Sequence, residues 1–230
     1  IIGWGREHEN WRIMRGIIPG RPDDESRAVW KELDKLLERK FKRPDGKRMR
    51  ILTTFIDSGG HCKDAVYREC AMRTARRVFA IKGKGGEDEE YVKMSSEMKR
   101  KKGIMLFIVG VDSGKEKIAY SLNVKEAGPW YSHFPAAPEA GYTLGAIRGL
   151  FAEKMEIHSR GGRNVAVWVE DSTVNARNEP LDCTNYAQAA FYGFQIDLDA
   201  IEKRLKGENQ IIRESRKPIV PKARQISGGI

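Results

Sequence analysis

The sequence of 230 residues has little cysteine and no long apolar run. Its three cysteines are Cys62, Cys70 and Cys183, and no two of them form a C-x-x-C pair, so we expect neither a disulfide framework nor a cysteine ligand pair. A reducing cytosol is the natural setting for such a chain. Because no run reaches about 18 apolar residues, we expect no membrane-spanning helix. The first residues lack a basic segment followed by an apolar one, so we expect no signal peptide.

Positive charge, by contrast, is abundant. The net charge is +10 and the isoelectric point is near 9.5, while 40% of the residues are hydrophobic, as in an ordinary globular protein. A basic surface attracts polyanions, and nucleic acid is the commonest polyanion in cytosol. Basic clusters lie at 42–50, 97–102 and 214–224. Each cluster is also compatible with an ordinary solvated face or a basic tail.

The hydrophobic patterns predict an α/β fold. A buried strand over 49–56, a helix over 63–74 and a second buried strand over 76–83 form a strand–helix–strand unit, which favours parallel neighbours in a covered sheet. The glycine- and charge-rich region 83–103 is typical of a loop. Further predicted elements are two N-terminal strands joined by the polar turn Arg6–Asn10, strands at 104–111 and 164–170, and helices at 112–122, 143–158 and 178–194. We expect one domain over 1–206 and an extended basic tail over 207–230.

The stretch "FIDSGGHC" (55–62) raises a choice between Ser58 as a nucleophile and Asp57 as the functional residue. A trypsin-type triad needs a base and an orienting acid on a double barrel of strands, but the long predicted helices contradict that fold and His8 is the only histidine before Asp57. The hydrolase elbow G-x-S-x-G is not matched either. Asp57 instead follows a buried strand, where open α/β sheets place their sites, although an acid here could equally start the turn.

A second acid, Asp182, falls in the first turn of the predicted helix 178–194. Acids are common there because the helix N-terminus favours negative charge, so Asp182 alone indicates little. Carboxylates from a strand end and a distant helix can, however, converge on hard divalent cations such as Mg²⁺ or Mn²⁺. Two such ions about 4 Å apart would activate water for phosphodiester hydrolysis.

Several segments, taken in order, resemble one family. They are "GWGREHENWRI", "FIDSGGHCKDAVYREC", "RRVFAIKG", "VGVDSGKEKIAYSL", "HFP" and "RNEPLDCTNYAQAA", and together they extend over about residues 1–194. The series is similar to the C-terminal nuclease domain of the lambda-type (GpA-like) large subunit of phage terminase. The resemblance implies a ribonuclease H-like fold, a mixed central sheet flanked by helices. It also implies a metal-dependent endonuclease that cuts concatemeric double-stranded viral DNA during packaging.

The resemblance also implies the site. Asp57 matches the acid after the central strand, and Asp182 matches the acid of a late "NE-x-LD" motif in which Pro180 replaces the family's alanine. Asp57 and Asp182 are thus the expected catalytic and metal-binding residues, with Mg²⁺ or Mn²⁺ as the cofactor. The family's remaining acid lies on a strand before "GWG", and we expect that strand to lie upstream of residue 1. The ATP-driven motor half of the family is not expected in this sequence, since no G-x-x-x-x-G-K-[ST] loop occurs.

Three further residues are secondary candidates. Asp112 and Lys115, in "VGVDSGKEKI", also match the family; Asp112 could instead cap a helix, and Lys115 could contact a phosphate. His61 lies four residues after Asp57 and could reach the site or make an ordinary polar contact.

The expected partners follow from the charge and from the family. Basic side chains at the end of the strand 76–83 and in the region 83–103 are predicted to bind DNA phosphates: Lys82, Lys84, Lys99, Arg100, Lys101 and Lys102. The resemblance adds a small terminase subunit and a portal as partners and places the protein in the cytoplasm of an infected bacterial host, with no membrane association. Two alternatives stay open: a module that binds DNA or docks on a partner without cutting, and a junction-resolving nuclease of the same fold.

Overall fold

The computed structural model describes residues 1–86, 89–98, 103–194 and 196–207. Chain contacts separate one compact unit, residues 1–196, from a second unit that begins at Asp197. The described strands are β1 (Ile2–Trp4), β2 (Asn10–Arg12), β3 (Lys40–Lys42), β4 (Arg48–Arg50), β5 (Thr54–Asp57), β6 (Val78–Lys84), β7 (Val92–Met94), β8 (Leu106–Gly110), β9 (Ser132–His133), β10 (Glu153–Arg160) and β11 (Arg163–Glu170). The described α-helices are α1 (Ala28–Glu38), α2 (Lys63–Met72), α3 (Val111–Asn123), α4 (Leu144–Arg148), α5 (Glu179–Gly193) and α6 (Leu198–Lys206).

The central sheet is mixed, as the family resemblance implies. Among the described residues its strand order is β5-β6-β8-β7. Strands β5, β6 and β8 are parallel, with Asp57 opposite Ile81, and β7 is antiparallel to β8. The predicted strand–helix–strand unit is therefore confirmed as β5–α2–β6. Parallel strands need such a crossover because a tight hairpin can join only antiparallel strands.

The two faces of this sheet carry separate apolar clusters. Val78 and Ala80 of β6 point to one face and pack with Trp30 of α1 and with residues of α2. Phe79 and Ile81 point to the other face and pack with Ala189 of α5. This alternation is the period of two that a strand imposes, and here both faces are buried. Helices α1 and α2 therefore cover one face, and α5 covers the other.

The N-terminal segment forms a smaller sheet. Strands β1 and β2 are antiparallel, with Gly3 opposite Trp11, and β2 runs parallel to β9. The sequence predicts the first pair and the polar turn between them. No local sequence pattern predicts the pairing of β2 with the distant β9.

Three predicted elements are wrong. The segment 49–56 divides into β4, which pairs with β3 as a hairpin, and β5. The region 83–103 is not all loop, since it contains β7 at the sheet edge. The predicted helix 143–158 is only the short α4, and the chain then enters β10, which pairs with β11 through all eight of its residues. The hairpin signal is Gly161–Gly162, two residues with positive φ that suit a tight turn.

The second unit is described from Asp197 to Gly207. Helix α6 is capped at both ends: the Asp197 side chain accepts a hydrogen bond from the Ala200 N–H at 2.8 Å, and Gly207 ends the helix with φ of +80°. The expected tail, 207–230, lies outside the described residues after Gly207. Within the described ranges, no helix is long and apolar enough to cross a membrane.

Candidate active site

Asp57 occupies the last position of β5, beside the buried Ile81 of the neighbouring strand. Because paired residues share a face, Asp57 projects toward the α5 side of the sheet. Its side chain is exposed, and Oδ1 accepts a hydrogen bond from the Gly59 N–H at 2.8 Å. The carboxylate therefore does start the turn, as the structural alternative predicts, but it remains open to solvent at the end of a central strand.

Ser58 is not available as a nucleophile. Its side chain is 3% exposed, and its hydroxyl donates a hydrogen bond to the Ile81 carbonyl at 2.7 Å. The Ser58 N–H donates to the same oxygen at 2.9 Å. Both groups tie the end of β5 to β6, so this serine stabilises the strand end that presents Asp57.

Asp182 lies in the first turn of α5, which packs against β5 and α3. Pro180, the departure from the family motif, fits this turn because a first-turn residue needs no N–H donor. Burial raises the pKa of the Asp182 carboxyl above its ordinary value; the Lys115 ammonium opposes this shift, and the negative charges of Glu153 and Asp57 add to it. Asp182 is thus a half-buried acid with more negative than positive charge around it.

The phenol of Tyr186, one turn further along α5, is close enough to both acids for their charges to affect its pKa. Burial raises this pKa, and the next causes are the charges of Asp57 and then Asp182. The phenol also lies against β6: a side chain added at Gly83 would come within 3.2 Å of the Tyr186 oxygen and 2.9 Å of Val111. Only glycine leaves this room. The structure therefore places Asp57 and Asp182, far apart in the chain, within one electrostatic neighbourhood on the α5 face.

Lys115 and Glu153 form a nearly buried ion pair whose charges act on Asp182. The Lys115 Nζ donates to Glu153 Oε2 at 2.5 Å, and the two side chains are 9% and 11% exposed. The second oxygen, Oε1, accepts from the Asn178 side chain at 2.8 Å, and Asn178 is the N-cap residue of α5. The sequence pattern does not single out Glu153, because it predicts a helix over 143–158 where the structure has the start of β10.

Among the described residues, Asp112 and His61 form no hydrogen bond or ion pair with these side chains. Asp112 lies just inside the first turn of α3, and its Oδ2 accepts a hydrogen bond from the Gly86 N–H at 2.8 Å. It therefore anchors the segment that follows β6. His61 is exposed in the turn between β5 and α2.

The predicted DNA-binding residues divide into two groups. Lys82 and Lys84 are exposed on β6, and their even positions point them away from the face that Asp57 shares with Ile81. Lys84 also pairs with Glu89, whose other oxygen binds Lys93 at 3.1 Å. Lys99, Arg100, Lys101 and Lys102 lie outside the described residues.

The chemistry of the donor set fits a divalent cation in part. Hard cations bind carboxylate oxygens, and a cation near Asp182 would favour its ionised form, which burial and then the neighbouring acids disfavour. Across the described ranges, however, no group of three or more metal-ligating side chains is already assembled. The two acids therefore fit as part of a metal site rather than as a complete one.

Comparison with known proteins decides the family. The family model for the endonuclease domain of the terminase large subunit gpA matches residues 1–204. The chain belongs to this family. It is also similar to two curated terminase large subunits: 31% identical over 236 residues to that of Escherichia phage lambda and 28% identical over 239 residues to that of Enterobacteria phage P21.

These alignments span 99% and 100% of this chain but only 36% and 35% of the two relatives. The chain thus corresponds to about a third of each relative's length, the part that the endonuclease family model describes. No solved structure matches the chain. The family assignment therefore comes from sequence, and the site geometry comes from this structure.

Proposed function

We propose that this domain is the DNA-cutting module of a viral packaging terminase, a divalent-cation-dependent endonuclease that acts on concatemeric double-stranded DNA. One observation carries the proposal beyond the family match. Asp57 from a central strand and Asp182 from a distant helix share an electrostatic neighbourhood with a surplus of negative charge. An acid at the carboxyl end of a parallel strand, together with a helix acid whose pKa is raised, is typical of an active site.

The roles of the two acids follow from their surroundings. Gly59 orients the Asp57 carboxylate through one oxygen, which leaves the second for a cation. Asp182, with its raised pKa, gains the most when a cation compensates its charge. Together they would hold one or two Mg²⁺ or Mn²⁺ ions. Such an ion, when bound, supplies Lewis-acid chemistry for phosphodiester hydrolysis by activating water and neutralising charge at the phosphate.

Lys115 supplies the positive charge that the protein itself brings to the acids. Its ammonium group has three N–H donors, and Glu153 accepts from one of them. The others suit the oxygens of a DNA phosphate near the acids. Lys115 would thus align the substrate and oppose the negative charge that grows on the phosphate during cleavage.

The wider setting is proposed on the same basis. The net charge of +10 supports an encounter with DNA that weakens as salt rises. A small terminase subunit and a portal are the partners we propose, in the cytoplasm of an infected bacterial host. The mixed parallel-strand sheet with helices on both faces agrees with a ribonuclease H-like fold, which we propose as the fold family.

A second function is supported by a separate observation. The described residues hold no assembled group of three metal ligands, which favours a module that binds DNA or docks on a partner without cutting. A junction-resolving nuclease would use the same two acids. Its substrate preference would distinguish it, because it would cut branched DNA in preference to linear duplex.

Plasmid cleavage in Mn²⁺ separates these functions. The assay compares the 230-residue chain, and a version extended to the length of its relatives, with their Asp57→Ala and Asp182→Ala variants. We expect metal-dependent cuts that both substitutions abolish and that a chelator stops, while retention on heparin stays nearly unchanged. Equal cleavage by the variants would refute the site assignment. Inactivity of both lengths, with DNA binding intact, would favour the non-cutting module.

A further inference from the structure

Glu153 has an unusual position for an acid that the sequence does not single out. It is the first residue of β10, at the base of the β10–β11 hairpin, and its side chain is 11% exposed. A nearly buried carboxylate is costly unless its charge is compensated. Both Glu153 oxygens have partners here: Lys115 from α3 and Asn178 from the start of α5.

These two partners join the elements that build the site. Lys115 comes from α3, the helix that packs on α5. Asn178 is the N-cap of α5, four residues before Asp182, and its carbonyl accepts the Asp182 N–H at 3.0 Å. Glu153 therefore connects the hairpin base to the lysine and to the helix start that carries the metal-binding acid.

We propose that Glu153 is a positioning residue for DNA cleavage, holding the Lys115 ammonium group near Asp182 so that it meets the substrate phosphate. The inference rests on the proposed function and extends it to a residue outside the family motifs. A lysine side chain has four flexible carbons, so an ammonium group without a fixed acceptor would occupy many positions. The short bond to Glu153 restricts it to one, and Asn178 in turn fixes the carboxylate.

The exposed Glu170 offers a matched control. It lies directly opposite Glu153 in the hairpin register, so the two acids belong to the same pair of strands. Glu153→Gln and Glu170→Gln remove the same charge from the same strand pair. Only the first affects the Lys115 bond, because glutamine is neutral and keeps a single acceptor oxygen for the two donors, Lys115 and Asn178.

The first measurement needs no catalysis. Acylation of lysine amines by a small reagent, followed site by site with mass spectrometry, reports how well each amine is held and shielded. We expect Lys115 in the native chain to react slowly, Glu153→Gln to raise its rate several-fold, and Glu170→Gln to leave it unchanged. An unchanged Lys115 rate in Glu153→Gln would overturn the proposal.

The second measurement is a double-mutant cycle on the cleavage rate. We expect Glu153→Gln to lower kcat about 10- to 100-fold, the effect of losing one charge-assisted hydrogen bond, with little change in KM for DNA. Glu153→Asp should restore part of the rate. In a Lys115→Met background, Glu153→Gln should have almost no further effect, because Glu153 acts through the lysine.

The outcomes separate this inference from the proposed function. Two results would mean that Glu153 only stabilises the hairpin base, and either would overturn the inference. The first is additive losses of rate in the cycle. The second is a Glu153→Gln variant that has a raised KM and a lowered melting temperature. Cleavage that survives Asp57→Ala would overturn the proposed function, whereas the acylation result would still stand or fall on its own.

Discussion

The two faces of the central sheet each carry a group of acids, and the groups differ in how their charge is balanced. On the α1–α2 face, the Glu69 side chain is 0% exposed, and Arg73 and Arg27 bond to it at 2.7 and 2.6 Å. Arg73 also binds Asp34 at 2.7 Å. On the α5 face, burial raises the pKa of Asp182, and the charges of Glu153 and Asp57 raise it further. Lys115 is the cation that lowers this pKa.

The pKa directions record this difference. Burial alone would raise the pKa of Glu69, but the hydrogen bonds from Arg27 and Arg73 lower it below its ordinary value. The Arg73 hydrogen bond likewise lowers the pKa of Asp34. For Asp182 the direction is reversed, and the pKa rises. The comparison indicates that arginines compensate the first group, while burial and neighbouring acids disfavour the ionised form of Asp182, which a bound cation would favour.

The largest expected effect is on cleavage. Asp182→Asn preserves the size of the side chain and removes its charge, so we expect the cleavage rate to fall by about 10³-fold or more, since several kcal/mol of transition-state stabilisation depend on the metal. Plasmid nicking in Mn²⁺ measures this. Asp199→Asn, an exposed acid in the first turn of α6, is the control and should cut normally. Equal losses of cleavage rate in Asp182→Asn and Asp199→Asn would contradict a specific role for Asp182.

The next effect is on stability and belongs to the other face. Arg73→Met leaves Glu69 buried with part of its charge uncompensated, and we expect the free energy of unfolding to fall by about 3 kcal/mol, as for other broken buried ion pairs. Urea denaturation measures the change. Arg76, the second arginine partner of Asp34, has a side chain that is 38% exposed. Arg76→Met should therefore lower the free energy of unfolding by less than about 1 kcal/mol. Similar losses in the two variants would contradict the buried role of Arg73.

The pH dependence of stability should have opposite signs on the two faces. Asp34 and Glu69, with lowered pKa values, stabilise the fold above their ordinary pKa values, and this contribution disappears as pH falls through the lowered ones. The raised pKa of Asp182 means that its ionised form destabilises the fold at neutral pH, and protonation relieves this as pH falls. Without metal, Asp182→Asn should therefore be slightly more stable than the native chain at pH 7 and equal to it near pH 3. If Asp182→Asn were less stable than the native chain at pH 7, the predicted direction of the effect would be contradicted.

The smallest effect concerns the exposed lysines of β6. Lys84→Gln should change the free energy of unfolding by less than about 0.5 kcal/mol, because surface substitutions rarely do more. If Lys84 contacts a phosphate, the slope of log affinity against log salt should drop by about one. Fluorescence anisotropy with duplex DNA at several salt concentrations measures this slope. An unchanged slope would exclude Lys84 from the DNA interface.

Sequence alone predicts the parts of this fold that depend on local patterns. The β5–α2–β6 unit follows from two apolar runs around one helix, and the place of Asp57 follows from the end of the first run. The helix that carries Asp182 is predicted within one residue at each end. The α5 face of the sheet, where the two acids meet, could not be derived from the pattern, because strand order depends on contacts distant in the chain.

The remaining site residues show where the pattern fails. Glu153 lies in a segment whose apolar spacing resembles a helix, so its place at the base of a hairpin was hidden. Its partners Lys115 and Asn178 are 38 and 25 residues away from it in the chain. The charge balance on each face is also invisible in composition, since both faces combine acidic and basic residues and the balance depends on which cations reach which acids.

Binding of Mn²⁺ tests the central claim most directly, because it needs neither DNA nor turnover. Isothermal titration calorimetry compares the two faces in three proteins. They are the native chain, the double variant Asp57→Asn/Asp182→Asn of the α5 face, and Asp34→Asn of the α1–α2 face. We predict that the double variant on the α5 face loses the binding that the native chain shows and that Asp34→Asn keeps it. Undiminished Mn²⁺ affinity in the double variant would contradict the account.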